Sequence, residues 1–153
     1  MAAIVAGLLL AALGIIAGAT LGTQAAINAM VSRAFGSPVI AAAISFGTGA
    51  LVLLVMALAV ARAQGAASGW RDLPAWAFVS GGALGVVYLT TVIFLTPRIG
   101  VAPTMGFVIA GQLLAGLLID SFGFFGLPSI LLTPPRLLGA GLLLGGALIL
   151  RFA

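Results

Sequence analysis

The chain has 153 residues, of which 63% are hydrophobic and only 5% charged, with a mean hydropathy of +1.38. A soluble domain carries about 25% charged residues. Six arginines and two aspartates therefore cannot furnish a water-facing surface, and lipid must be the solvent for most of the exterior. The absence of Cys, His, Glu and Lys removes disulfides, thiolate metal sites, the usual general bases and the Ser-His-Asp arrangement. An enzyme is the least favoured class, and no metal or cofactor is expected. The net charge of +4 does not point to nucleic acid, because the arginines are scattered singly at the ends of apolar runs and form no basic face.

A bilayer core is crossed by about 20 apolar residues in a helix, and five such runs are found. The first, about residues 3–32, has no basic n-region and is longer than the about 7–15 residues of a signal-peptide core, so it is read as a retained span. It is also too long to stand straight across the membrane, so it tilts or emerges at its Gln24 to Arg33 end. Gly36-Ser37-Pro38 makes a turn, with Ser37 as N-cap and Pro38 at the first helical position. The second span covers about 38–61. The most polar stretch follows, Arg62 to Asp72, with Gln64, Gly65, Ser68, Gly69 and Arg71. The third span covers about 74–95 and ends in a tight turn, Thr96 to Gly100. The fourth covers about 102–119. Asp120 to Leu132 is apolar but broken by Gly123, Gly126 and Pro128, and reads as an interfacial connector. Thr133-Pro134-Pro135 introduces the fifth span, about 136–150. Uniform apolar runs of this length predict helices, since backbone groups in lipid need internal partners, and they lack the alternation of a β-barrel. The expected fold is an all-α bundle of five transmembrane helices in a single domain, residues 1–153.

Gly14, Gly18 and Gly22 lie four apart on the first span, giving two GxxxG steps in succession and a groove for close helix approach, within the chain or between chains. Gly81 with Gly85, and Gly141 with Gly145, repeat the spacing once each. If each span crosses once, Arg62, Arg71 and Arg136 fall on the side of the amino terminus. Arg33, Arg98 and Arg151 fall on the other. Orientation follows the Lys/Arg bias of short loops, and three against three gives no bias. This balance predicts insertion in both orientations and an antiparallel homodimer of ten spans, the inverted symmetry that many transporters use. A chance balance, with orientation set by other groups, is the competing explanation.

Polar residues within spans are costly and face a bundle interior or a water-filled cavity. Gln24 and Asn28 share a face of the first span with Thr20. Tyr88 lies on the third span, and Gln112 on the fourth. These four, Gln24, Asn28, Tyr88 and Gln112, are the candidate substrate-binding residues, with interhelical hydrogen bonding as the alternative role. Asp120 is a candidate ion or proton site, or an interfacial partner of Arg136. No carboxylate sits at the centre of any span, so proton coupling through a central acid is not supported. Trp70 and Trp76 read as interfacial anchors.

Three stretches resemble the YdcZ-like family of small bacterial inner-membrane proteins. They are QAAINAMVSRAFGSPVIAAAISFGTG (Gln24 to Gly49), the outline VAGQLLAGLLIDSFGFFGLP with Ile109 interposed (Val108 to Pro128), and TPPRLLGAGLLLGG (Thr133 to Gly146). That family belongs to the drug/metabolite transporter superfamily. The resemblance implies a five-helix half of a ten-helix transporter, working as a dimer or fused pair, some members with dual topology, in the inner membrane. It also implies that Gln24, Asn28, Gln112 and Asp120 are recurrent positions, without saying what they do. The expected function is small-molecule secondary transport, with export as the implied direction. The expected partners are the lipid bilayer, a second antiparallel copy and a small-molecule substrate, but not nucleic acid. A channel and a non-transporting membrane subunit are the alternatives. With no deeply buried acid, a neutral, zwitterionic or anionic solute is favoured over a strong cation.

Overall fold

A computed structural model of the chain describes residues 1–64 and 69–152. Gly65 and Ser68 of the expected loop fall outside the described residues, as does the side chain of Trp70. Five helices follow one another: α1 (Ala2–Phe35), α2 (Pro38–Gln64), α3 (Ala75–Ile99), α4 (Val101–Phe122) and α5 (Pro134–Phe152), with short 3-10 turns at Gly69–Asp72 and Phe124–Gly126. Each of the five is long and apolar enough to cross a membrane, and there is no strand among the described residues. The fold is an all-α membrane bundle.

Local chemistry sets the helix ends. At the first turn Gly36 takes a left-handed φ of 67°, and the Ile40 N–H donates to Ser37 Oγ at 3.4 Å, so Ser37 caps α2 directly ahead of Pro38. The stretch from Thr96 to Gly100, expected to be a turn, is instead almost all helix. α3 continues through Pro97 to Ile99, and Gly100 alone, at φ 89°, reverses the chain. A proline in a last turn gives up one N–H bond without interrupting a longer ladder. Thr104 then donates its hydroxyl to the Gly100 carbonyl at 2.7 Å, fixing the start of α4. That helix runs past Asp120 and stops at Gly123, whose φ of 63° and N–H bond to the Ile119 carbonyl close it. The connector therefore begins at Gly123, not Asp120. It folds back so that the Ile130 N–H donates to the Asp120 carbonyl at 2.8 Å. Phe125, at φ 61°, is held in a region that few non-glycine residues enter. α5 opens on Pro134, with the Thr133 carbonyl accepting from the Arg136 and Leu137 N–H groups.

α1 has 34 residues, about 51 Å of helix against a hydrocarbon core of about 30 Å. The excess is several turns, more than tilt alone absorbs at ordinary angles.

The chain divides into two compact units, Thr23–Phe94 and Met1–Gly22 with Leu95–Ala153. In the first, Ala41, Ala42, Leu89 and Ile93 form a small core with Val31 and Tyr88 packed against it. Its alanines let helix backbones come close, which in lipid replaces the hydrophobic drive to associate. In the second, α4 and α5 pack along their length. Gly106 is the tightest point: a Cβ built there would lie 2.9 Å from Ala147 Cβ, so only glycine permits this approach.

Packing within the chain covers little of the surface. The most apolar window of α1 is 0% buried, and those of the other helices 11–17%. Residues 5–21 of α1 are all exposed, and a Cβ at Gly14 or Gly18 would meet nothing within 4 Å. Gly22 comes only to 4.0 Å from Met105 Cγ, and Gly81, Gly141 and Gly145 face open space. Of the GxxxG glycines, Gly85 alone is closely covered, by the ring of Phe46 at 3.3 Å. Within the described chain, then, the spacing coincides with a close contact at Gly85, while Gly14, Gly18, Gly141 and Gly145 meet no neighbour.

Candidate functional site

Helix dipoles favour cations near C-termini and anions near N-termini, by about 0.3–1 kcal/mol each. Four helices obey: Arg33, Arg62, Arg98 and Arg151 sit in the last turns of α1, α2, α3 and α5. The α4–α5 pair breaks the rule twice. Asp120 lies in the last turn of α4, at the negative end of that dipole, and Arg136 in the first turn of α5, at the positive end. A local rule broken twice at one place marks a constrained site.

The fold brings these two charges together. Arg136 Nη2 donates to Asp120 Oδ2 at 3.2 Å, with both side chains 34% exposed. The pair offsets the two unfavourable dipole terms and keeps two charges from standing alone at the membrane edge. It does not satisfy the guanidinium fully. Among the described residues Arg136 Nη1 is buried without a hydrogen-bond partner.

The ion pair closes one end of a groove of about 550 Å³ along the α4–α5 seam. Gln112 lies on its wall two turns before Asp120, and the rest is apolar or glycine: Ile109, Leu113, Gly116, Leu117, Gly139, Ala140 and Leu143. Gly116 and Gly139 keep the groove wide, since a Cβ at either would meet nothing within 4 Å. A second groove of about 500 Å³ shares Ile109 and Leu143 and continues to Ala102 and Leu150. From Ala102 to Asp120 is about 27 Å of helix, so the seam offers a nearly membrane-deep apolar track with its charges at one end.

The remaining candidates lie in the Thr23–Phe94 unit. Asn28 is buried, and its side-chain amide donates to Ser45 Oγ at 3.3 Å, linking α1 to α2. Tyr88 is half-buried against the Ala41–Leu89–Ile93 core. Gln24 is exposed on α1. The hydroxyls of Thr20, Thr48 and Thr90 donate to carbonyls of their own helices, which leaves each only its acceptor lone pairs. Gln112 and Asp120 thus meet in one groove, while Asn28 is held by a neighbouring helix. Arg136 is the member that sequence reading counted only as a loop charge or a partner for Asp120. The signal that points to it is its helix position: a base in a first turn following an acid in a last turn.

The family model described as "Putative inner membrane exporter, YdcZ" matches residues 8–149. No curated protein and no solved structure matches the chain. The matched span takes in all five helices almost completely, including the α4–α5 groove and the Asn28–Ser45 link. The chain belongs to this YdcZ family of the drug/metabolite transporter type and is a multi-pass protein of the inner membrane.

Proposed function

We propose that the chain is one subunit of a small-molecule exporter in which two oppositely oriented copies enclose the transport path. The observation that carries this reading is the low burial of the most apolar window of each helix, 0–17%, in a chain whose family model is described as "Putative inner membrane exporter, YdcZ". Helices whose apolar windows are so little covered, with a polar-ended groove left open along α4 and α5, favour completion by another chain. A second copy supplies the missing walls. The even split of the arginines, three to each side if every helix crosses once, supports opposite orientation of the copies. The exposed Gly14–Gly18 face of α1 is a surface on which two such helices can approach closely.

Within this reading Gln112 faces the substrate from α4. Gln24, exposed on α1, is a second contact. Tyr88, half-buried, belongs to the edge of the path. Asn28, held by Ser45, positions its helix. Asp120 holds Arg136, a role that needs no proton transfer.

Counterflow in liposomes containing the purified chain tests the proposal. Vesicles loaded with a small solute, drawn in turn from neutral, zwitterionic and anionic panels, should take up tracer of the same solute saturably, and faster with unlabelled solute inside. Flux without saturation or trans-stimulation would indicate a channel. No flux for any panel, from protein shown to be folded, would reduce the chain to an accessory subunit.

A further inference from the structure

The geometry points to the α4–α5 groove as a binding site for an uncharged amphiphile, with an apolar body along the helices and an oxygen acceptor in its head for Arg136. Three features fix the class. Arg136 Nη1 is a buried donor with no partner among the described residues, and Arg136 lines the groove beside Asp120. An unmade buried donor is a standing cost that an acceptor removes. The charges of Asp120 and Arg136 already cancel. A ligand with net charge would therefore bring an uncompensated ion into a low-dielectric wall, which is strongly disfavoured. Finally, beyond Gln112 the groove is lined by apolar side chains and glycine, and about 550 Å³ falls within the range of about 300–1,000 Å³ typical of small-molecule sites.

Two sources share this chemistry: a solute that the exporter moves, and a membrane lipid whose ester carbonyl meets Arg136 while an acyl chain follows the seam toward Leu150. The site rests on the exporter reading only for the claim that its ligand is moved.

The probes are three molecules with one apolar body: 4-phenylbutanamide, 4-phenylbutyrate and 4-phenylbutylammonium. Binding is measured on purified protein in nanodiscs of phosphatidylcholine. The amide should bind saturably and at least about tenfold tighter than the ammonium, with the carboxylate between them. Gly116→Leu and Gly139→Leu fill the groove where the fold has room for a side chain. Both should abolish amide binding at unchanged thermal stability. Arg136→Gln should weaken the amide about tenfold, and Arg136→Lys less, because one donor returns. Ammonium binding as tight as the amide, or amide binding unchanged in Gly116→Leu, overturns the proposal.

Native mass spectrometry separates the sources. A phospholipid retained by the unmodified chain, displaced by the amide and lost in Gly116→Leu, identifies a lipid as the occupant. Amide counterflow, lost in Gly116→Leu, identifies a moved solute. Amide binding with no counterflow of any solute leaves the site standing and removes the exporter reading. Counterflow of some other solute that Gly116→Leu leaves intact, with no amide binding, does the reverse.

Discussion

Asn28 with Ser45, and Asp120 with Arg136, each join two helices through one side-chain hydrogen bond, at 3.3 Å and 3.2 Å. Their surroundings differ. Asn28 is buried between α1 and α2, beside alanines that let those helices close. Asp120 and Arg136 are each a third exposed, stand against their own helix dipoles, and leave a guanidinium nitrogen unmatched at the end of an open groove. The first pair completes a packing contact. The second is incomplete, and both of its residues line the groove. That difference separates a polar residue spent on packing from one whose hydrogen bonding is unfinished.

Steric tests along the seam should show the largest effects. Gly106→Leu would drive a side chain into Ala147, where even a Cβ has 2.9 Å. Overpacking of this kind costs about 3 kcal/mol, and α4 should separate from α5, seen as a fall in thermal stability and folded yield. Gly116→Leu on the same helix should change stability by no more than about 0.5 kcal/mol while removing transport. If both variants are equally stable, the close approach at Gly106 is wrong.

Breaking the ion pair comes next. Asp120→Asn leaves a charged guanidinium without its counter-charge and should destabilise by about 1–2 kcal/mol, the exposure of the pair limiting the loss. Adding Arg136→Gln should restore part of that, because the lone charge goes with it. A double variant less stable than Asp120→Asn alone would mean that the pair is not the reason Arg136 is tolerated there.

The Asn28 link should be worth less. Asn28→Ala should cost about 1 kcal/mol, with a coupling to Ser45→Ala of about 0.6 kcal/mol in a double-mutant cycle. Transport should be retained in proportion to folded protein. Loss of transport from well-folded Asn28→Ala protein would move Asn28 from the packing class to the substrate class.

The smallest effect on the single chain belongs to Gly14→Leu and Gly18→Leu, since both positions open into free space. Stability of the monomer should hold within about 0.5 kcal/mol, whereas cross-linking between copies through α1 should fall. Unchanged cross-linking would place the dimer contact on another helix.

The five helices were legible in the sequence because lipid leaves a long apolar run no alternative to a helix. Their ends were less so. Pro97 reads as a breaker, yet one missing N–H in a final turn is tolerated, so α3 reaches Ile99 and the turn shrinks to Gly100. The GxxxG spacings named surfaces that can pack, but spacing cannot say whether a partner is present. The glycine that closes α4 onto α5 is Gly106, which belongs to none of those pairs. The roles of Asn28 and Asp120 were undecided for the same reason. Each depends on the residue opposite, and Ser45 and Arg136 lie 17 and 16 positions away, across a turn or connector whose path the sequence does not encode simply. Reading helix dipoles residue by residue would have singled out Asp120 and Arg136 together.

The account stands or falls on whether two copies lie in opposite orientations, and reporters fused after Ala153 test this most directly. One is active only in the cytoplasm and the other only outside it. Comparable activity from both, at equal expression, is the predicted result and makes an antiparallel pair of identical chains available in the membrane. Activity from one reporter alone would contradict it, leaving a parallel assembly or a different partner to complete the path.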